Sequence, residues 1–338
     1  MTDFAGIAPA SLARLGWSEF FGEQIDPQEI GLAQNRVAMV HRARLSTISQ
    51  AGPVELSLPA HTDIGDFAVG DWVLADPQTH LLHRRLARKT LVERFVEGAK
   101  TPQLVAANVD TLFIVTSCNA DFSAARLERY LLLANQSGAT PVILLTKADT
   151  VGNAEEYEQQ ARALQRGLAV VSLNARSQDA ATALAPWCRV GQTVALIGSS
   201  GVGKSTLVNT LTGHDQQTGG VREHDAKGRH TTTARSLHAI AGGGWMIDTP
   251  GMRTLHVSDV GAGIDMLFAE ISELAPLCRF RDCTHAHEPG CAVQAAVASA
   301  TLDLERLTRW RKLQDESLGN TPEQASPRGN SSSRGKRR

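Results

Sequence analysis

The chain has 338 residues, of which 42% are apolar or aromatic and 20% are charged. That length allows two or three packed domains, and that composition excludes a wholly disordered or fibrous chain. The formal net charge is −1, so bulk charge gives no attraction to a polyanion, and any contact with nucleic acid has to come from local patches.

Met1-Thr2-Asp3-Phe4 carries an acid where a secretory signal carries basic residues, and no long apolar run follows. The expectation is a cytoplasmic protein with no membrane span. Residues 1–33 read as a short helical leader with Leu12, Leu15 and Phe20 as its apolar positions. From Gln34 the texture changes. Short β-prone runs at 36–40, 44–48, 54–58, 71–75 and 81–86 are separated by Gly, Pro and Asp. This predicts a small OB-type barrel of five strands over 34–98.

An α/β pattern occupies 99–270. Buried-strand runs at 111–115, 141–145, 168–172 and 193–197 alternate with helical stretches such as 124–135 and 155–165. Two more strands are expected at 235–240 and 245–248. Such alternation implies a mainly parallel, doubly wound sheet. A cysteine-bearing module with a helix over 302–316 fills 271–318. Residues 319–338 are rich in Ser, Gly, Pro and Arg and read as a disordered basic tail.

Gly198-Ser199-Ser200-Gly201-Val202-Gly203-Lys204-Ser205 matches G-x-x-x-x-G-K-[ST], between a strand and the helical stretch opening at Thr206. Glycines let the backbone wrap phosphate oxygens, and the helix N-terminus offers free N–H groups to the anion. Lys204 reaches the β- and γ-phosphates and Ser205 ligates Mg²⁺.

This loop does not choose between ATP and GTP; Thr146-Lys147-Ala148-Asp149 does. It resembles Asn-Lys-x-Asp, with Thr for Asn. The Asp149 carboxylate can accept from N1–H and N2–H₂ of guanine, a donor pair adenine lacks. Lys147 packs its stem over the base. The hydroxyl of Thr146 is shorter than an Asn amide, which would brace the phosphate loop, and is expected to cost affinity more than specificity. Ser172-Leu173-Asn174-Ala175 is expected to back the guanine O6 through backbone N–H groups.

Asp248-Thr249-Pro250-Gly251 resembles D-x-x-G, in which the Asp holds Mg²⁺ through water and the Gly N–H meets the γ-phosphate. Gly228-Arg229-His230-Thr231-Thr232-Thr233 precedes it. One of the three threonines, with Thr232 favoured, completes the Mg²⁺ shell. The guanine motif precedes the phosphate loop, the reverse of the usual order. This implies a circularly permuted GTPase domain, tolerated because a fold's termini often lie close together. The D-x-x-G segment then leads directly into the C-terminal module.

Of five cysteines, Cys278, Cys283 and Cys291 cluster with His285 as C-x₄-C-x-H-x₅-C, whereas Cys118 and Cys188 read as buried thiols. Three thiolates and an imidazole suit one closed, structural Zn²⁺ site. His287 is a rival ligand.

The permuted order, the preceding barrel, the G-R-H-T-T-T segment and the Cys₃His module together resemble the ribosome small-subunit-dependent GTPase A family (RsgA), from about Gln34 to Glu316. The resemblance implies a cytoplasmic GTPase, expected as a monomer, that acts late in 30S maturation, touches 16S rRNA and is stimulated by the subunit. The barrel, the basic run His83-Arg84-Arg85, Arg88-Lys89 and Arg94, and the basic tail fit an RNA partner. Met252 stands where many GTPases place a water-orienting Gln, so intrinsic hydrolysis is expected to be slow. His230 either positions the water or serves a structural or RNA-facing role. Two rival readings are an RNA-binding zinc protein with a non-hydrolysing guanine site, against which Lys204, Ser205 and Asp248 argue, and a P-loop kinase or ATPase, against which Asp149 argues.

Overall fold

The computed structural model describes residues 11–94, 101–213, 235–249 and 261–320. The leader consists of single turns at Leu12–Leu15, α1 (Glu19–Gly22) and Pro27–Glu29. Leu15 and Phe21 are buried, while Phe20 is 38% exposed. The apolar position expected at Phe20 thus falls one residue later, because adjacent residues of a turn do not share a face. Trp17 and Phe21 pack against Trp72 of the barrel.

The barrel strands are β1 (Ala33–Val40), β2 (Arg44–Ser49), β3 (Gly52–Ser57), β4 (Trp72–Ala75) and β5 (Leu82–Arg85), ordered β3-β2-β1-β4-β5 with antiparallel neighbours. A parallel bridge between Ser57 and Leu81 brings the two edges together, giving the five-stranded OB arrangement. Val37, Leu45, Leu56, Val73 and Leu82 fill the interior. A register shift between Val37 and Met39 bends β1 so that it pairs with both β2 and β4.

An antiparallel ribbon of β6 (Leu91–Arg94) and β7 (Gln103–Ala107) follows, one strand on each side of the boundary read at 98/99. The main sheet contains β8 (Thr111–Ser117), β9 (Thr140–Thr146), β10 (Ala169–Ser172), β11 (Thr193–Gly198), β12 (Ser236–Ala239) and β13 (Trp245–Asp248). Its order is β10-β9-β8-β11-β13-β12, parallel except for β12. The helices are α2 (Ala124–Ser137), α3 (Ala154–Arg162), α4 (Asp179–Leu184), α5 (Lys204–Thr212), α6 (Gly261–Leu267), α7 (Ala269–Leu274), α8 (Ala292–Ala298) and α9 (Leu304–Asn320). The central strands are apolar on both faces. Leu112 and Ile114 join the core that holds α2, α6 and α9, whereas Phe113 and Val115 join the one that holds α4 and α5.

Polar contacts knit barrel to sheet. Arg36, buried in β1, donates Nη1 to Leu15 O (2.5 Å) and Nη2 to Thr193 Oγ1 (2.6 Å), at the start of the strand that leads to the phosphate loop. Burial pushes its guanidinium down to about 10. A Cβ on Gly70 would lie 2.1 Å from Ala107 O, so only glycine lets the barrel approach the ribbon this closely.

The basic run is less available to a polyanion than its sequence suggests. Arg84 clasps Glu29 with Nε and Nη2, both at 2.7 Å, and Arg88 clasps Asp71 at 2.6 and 2.8 Å. Lys89 lies over the rings of Phe20 and Phe21. These cations hold the leader and β4 in place. The basic tail beyond Asn320 lies outside the described residues, among which no helix is long and apolar enough to cross a membrane.

Candidate functional site

The nucleotide motifs occupy the carboxyl ends of neighbouring parallel strands, where doubly wound sheets bind ligands. The phosphate loop leaves β11. Gly198 has φ 145, and a Cβ there would lie 2.2 Å from Val115 O on β8. Gly201 (φ 79) and Gly203 (φ 101) supply the remaining left-handed turns, and α5 begins at Lys204. Lys204 Nζ donates to Gly198 O (2.9 Å) and Ser199 O (2.5 Å). Ser200 and Ser205 are exposed, and Thr206 is half-buried in the first turn of α5.

The guanine motif leaves β9. Thr146 is buried, and its hydroxyl lies 2.6 Å from Val202 O and 3.1 Å from Thr116 O. The bracing expected of an Asn is therefore performed by the shorter hydroxyl. Gly203 packs beside it: a Cβ built there would stand 3.7 Å from Thr146 Oγ1, an ordinary contact. Lys147 is left-handed (φ 57), which turns the chain sharply into the Ala148–Thr150 turn. Asp149 is exposed, and Asn174 Nδ2 donates to its Oδ2 at 2.9 Å. Ser172, the serine singled out for this loop, has its Oγ buried with no hydrogen-bond partner. Asn174, two residues on, has left the strand, and its side chain turns toward Asp149. Thr210 Oγ1 on α5 donates to Ala175 O at 2.8 Å, tying this loop to the phosphate-loop helix.

Asp248 ends β13, and burial pushes its carboxyl up from the ordinary value, partly offset by the Lys204 charge. Thr249 is buried and its hydroxyl donates to Leu196 O on β11, anchoring the end of β13 to the strand of the phosphate loop. Nothing in the motif pattern asks for a hydroxyl at Thr249. His230, Thr231, Thr232, Thr233, Gly251 and Met252 lie outside the described residues.

The four candidate ligand side chains come together. The donor atoms of Cys278, Cys283, His285 and Cys291 all lie within 4.8 Å of one another. Cys278 and Cys291 Sγ are 3.9 Å apart, and His285 Nδ1 is 3.5 Å from each. A tetrahedron with metal–sulfur bonds of about 2.3 Å has edges of about 3.8 Å, so the residues fit such an ion. Burial, the main cause, moves the His285 imidazole down from its ordinary value, favouring the neutral form that ligates. His287 is exposed and lies outside the cluster, whereas His285 is inside it.

The loop has supports that the cysteine spacing does not announce. Glu288 accepts from the N–H groups of Thr284 (2.9 Å), Ala286 (3.0 Å) and His287 (3.1 Å) and from the Thr284 hydroxyl. Those donors, the Thr284 hydroxyl first, hold its carboxyl well below the ordinary value. His285 O accepts from Gln294 Nε2 (2.5 Å) and from Arg311 of α9, and Trp310 packs on the imidazole.

Comparison with known proteins agrees with this geometry. The model of a family described as RsgA GTPase matches residues 85–258. The chain is 70% identical over 334 residues to the small ribosomal subunit biogenesis GTPase RsgA of Mesorhizobium japonicum, covering 97% of this chain and 96% of that one. It is 47% identical to the small ribosomal subunit biogenesis GTPase RsgA 2 of Vibrio vulnificus, covering 92% and 89%. The crystal structure of YjeQ from Thermotoga maritima superposes with a TM-score of 0.63 at 23% identity, over 85% of this chain and 99% of that one. YloQ, a circularly permuted GTPase, does so at 0.61 and 22%, over 88% and 99%. These two likenesses concern the fold.

Proposed function

The chain belongs to the RsgA GTPase family, and on that footing we propose how its residues serve a GTPase of small ribosomal subunit biogenesis. The reaction is GTP + H₂O → GDP + phosphate. The observation that carries the reading is the bond from Thr146 to Val202 O. It joins the base-reading loop to the phosphate-binding loop, although the two stand in permuted order along the chain.

Asp149, oriented by Asn174, accepts the guanine N1–H and N2–H₂, and Lys147 covers the base. The N–H groups of 198–206, with Lys204, hold the phosphates. Ser205 and Thr232 would ligate Mg²⁺, with Asp248 holding it through water. When bound, the ion would neutralise negative charge on the phosphates. The Gly251 N–H meets the γ-phosphate, and His230 positions the attacking water. Cys278, Cys283, His285 and Cys291 hold one structural Zn²⁺, which fixes a loop too small to build a core. The protein acts as a cytoplasmic monomer on the 30S subunit late in maturation. It contacts 16S rRNA, and the subunit stimulates hydrolysis.

The test is phosphate release from GTP with and without purified 30S subunits, with ATP as control. Strong stimulation confined to GTP is expected. Absence of release under both conditions would leave a binding protein, and equal use of ATP would remove the role given to Asp149.

A further inference from the structure

We propose that Arg126 is a catalytic residue of this hydrolysis, a cation that the chain itself brings to the γ-phosphoryl group. The proposal rests on the GTPase reading above. Arg126 stands exposed in the first turn of α2 and donates Nη1 to Ser199 Oγ at 2.6 Å. Tyr130, one turn further on, is hydrogen-bonded to the same serine. Lys204 holds Ser199 through its backbone carbonyl. Two cations therefore meet on the second residue of the phosphate loop. The loop lysine serves the β- and γ-phosphates, so its anchors mark that end of the cradle, and Arg126 stands at the same end.

The way Arg126 is held sets it apart from arginines that act as struts. Arg84, Arg88, Arg129 and Arg306 each end on a carboxylate. Arg126 ends on a neutral hydroxyl, and no carboxylate pairs with it among the described residues. A serine hydroxyl brings no opposite charge to a guanidinium, whereas a phosphate adds one and can accept two parallel N–H bonds. A phosphate oxygen therefore displaces Ser199, and the planar fork of arginine suits a phosphate better than a lysine does. The mount is rigid. Leu127, Leu131 and Leu132 of α2 are in the core, and Glu128 is buried between Arg306 and Arg309. The charge is thus presented on a preorganised element.

During hydrolysis the water oxygen bonds to the γ-phosphorus. The bond from that phosphorus to the bridging oxygen breaks, its electron pair leaves with GDP, and the water proton goes to the released phosphate. Negative charge spreads over the γ oxygens and the bridging oxygen as this happens. Donors of Arg126 placed there stabilise the transition state more than the bound substrate.

The experiment compares wild type, R126A, R126K and the distant surface variant R166A. It reads single-turnover GTP hydrolysis with 30S subunits, affinity for GDP, and affinity for GDP with aluminium fluoride. R126A is expected to hold GDP within about twofold of wild type, to hydrolyse roughly 100-fold more slowly and to lose affinity for the fluoride complex in proportion. R126K should recover part of the rate, and R166A should match wild type. The proposal fails if R126A hydrolyses within about twofold of wild type, or if GDP affinity falls as far as the rate. If wild type itself releases no phosphate, the GTPase reading fails and takes this proposal with it.

Discussion

Replacing Thr146 by Val keeps the shape of the side chain and removes its hydroxyl. The hydroxyl has one proton and two acceptors, Val202 O at 2.6 Å and Thr116 O at 3.1 Å, so the nearer one takes it. Val202 is buried and lies between Gly201 and Gly203, both left-handed, in a loop whose shape the phosphates require. A neutral hydrogen bond contributes about 1 kcal/mol, and an orphaned buried carbonyl costs about 1–3 kcal/mol. Part of that loss appears as stability and part as nucleotide binding. If about 1–2 kcal/mol falls on binding, GDP affinity drops roughly 5- to 30-fold. The preference for GTP over ATP should not change, because Asp149 and Asn174 are untouched. Fluorescent GDP titration, with ATP competition and a thermal melt, measures all three quantities. The reasoning is refuted if T146V binds GDP within twofold of wild type. It is refuted equally if guanine preference collapses, since Thr146 would then be reading the base.

Asp149→Asn replaces an acceptor pair by an amide that also donates. Its GTP affinity should fall by about 100-fold or more, with xanthosine triphosphate, which presents a carbonyl at C2, now preferred; unchanged GTP binding would remove Asp149 from the base site. Glu128→Ala strips a carboxylate from two arginines at a site where its own side chain is 1% exposed. Such a break costs about 3–5 kcal/mol and should lower the melting temperature by roughly 5 °C in calorimetry, so a fall of about 1 °C or less would show the network to be slack. Cys291→Ser should release the metal ion, read as metal per chain by mass spectrometry, and acidification should do the same to wild type because the ligands must be deprotonated. Full retention in C291S would place the ion elsewhere. Hydrogen bonds from Arg84, helped by the Asp26 N–H, hold Glu29 down to about 2 from its ordinary 4.5. A depressed carboxyl stabilises the fold above 4.5 and loses that contribution as pH falls toward 2. The leader should therefore loosen in that window, seen as a change in tryptophan fluorescence where Trp17 meets Trp72, and Glu29→Gln should abolish the step.

The features legible in the sequence are those in which chemistry restricts the residue type over a short span. Gly198 is required because any Cβ strikes Val115 O, and the Cys₃His spacing is readable because all four ligands sit within one loop. The strands of the barrel and sheet are readable because apolar and β-branched residues recur between turn residues. Pairings made by the fold were not readable. Arg306 lies 178 residues from Glu128, and Thr249 lies 53 from Leu196. That the Asn174 amide turns onto Asp149 depends on how the chain leaves β10, which residue type does not announce. The basic run misled for the same reason: Arg84 and Arg88 look free until Glu29 and Asp71 are brought beside them.

The permuted order leads the D-x-x-G segment into the C-terminal module, which invites a picture of that module swinging with nucleotide state. The contacts of α9 argue against free swinging. Arg306 donates to Glu128 of α2, Glu270 of α7, Leu164 O after α3 and Leu267 O of α6, and its guanidinium lies 4.0 Å from the Phe268 ring. Arg309 shares Glu128, and Arg129 holds Glu316 at 2.5 Å. From the same helix Arg311 and Trp310 hold His285. Lifting α9 from α2 would break a buried ion pair at about 3–5 kcal/mol. Coupling energies between sites are typically about 1–3 kcal/mol. A nucleotide change of ordinary size therefore does not detach the metal loop from the core. The loop, α9 and α2 move as one piece, and α2 carries Arg126 and Tyr130 against the phosphate loop. A force applied to the metal loop by a bound partner would reach the nucleotide through that helix.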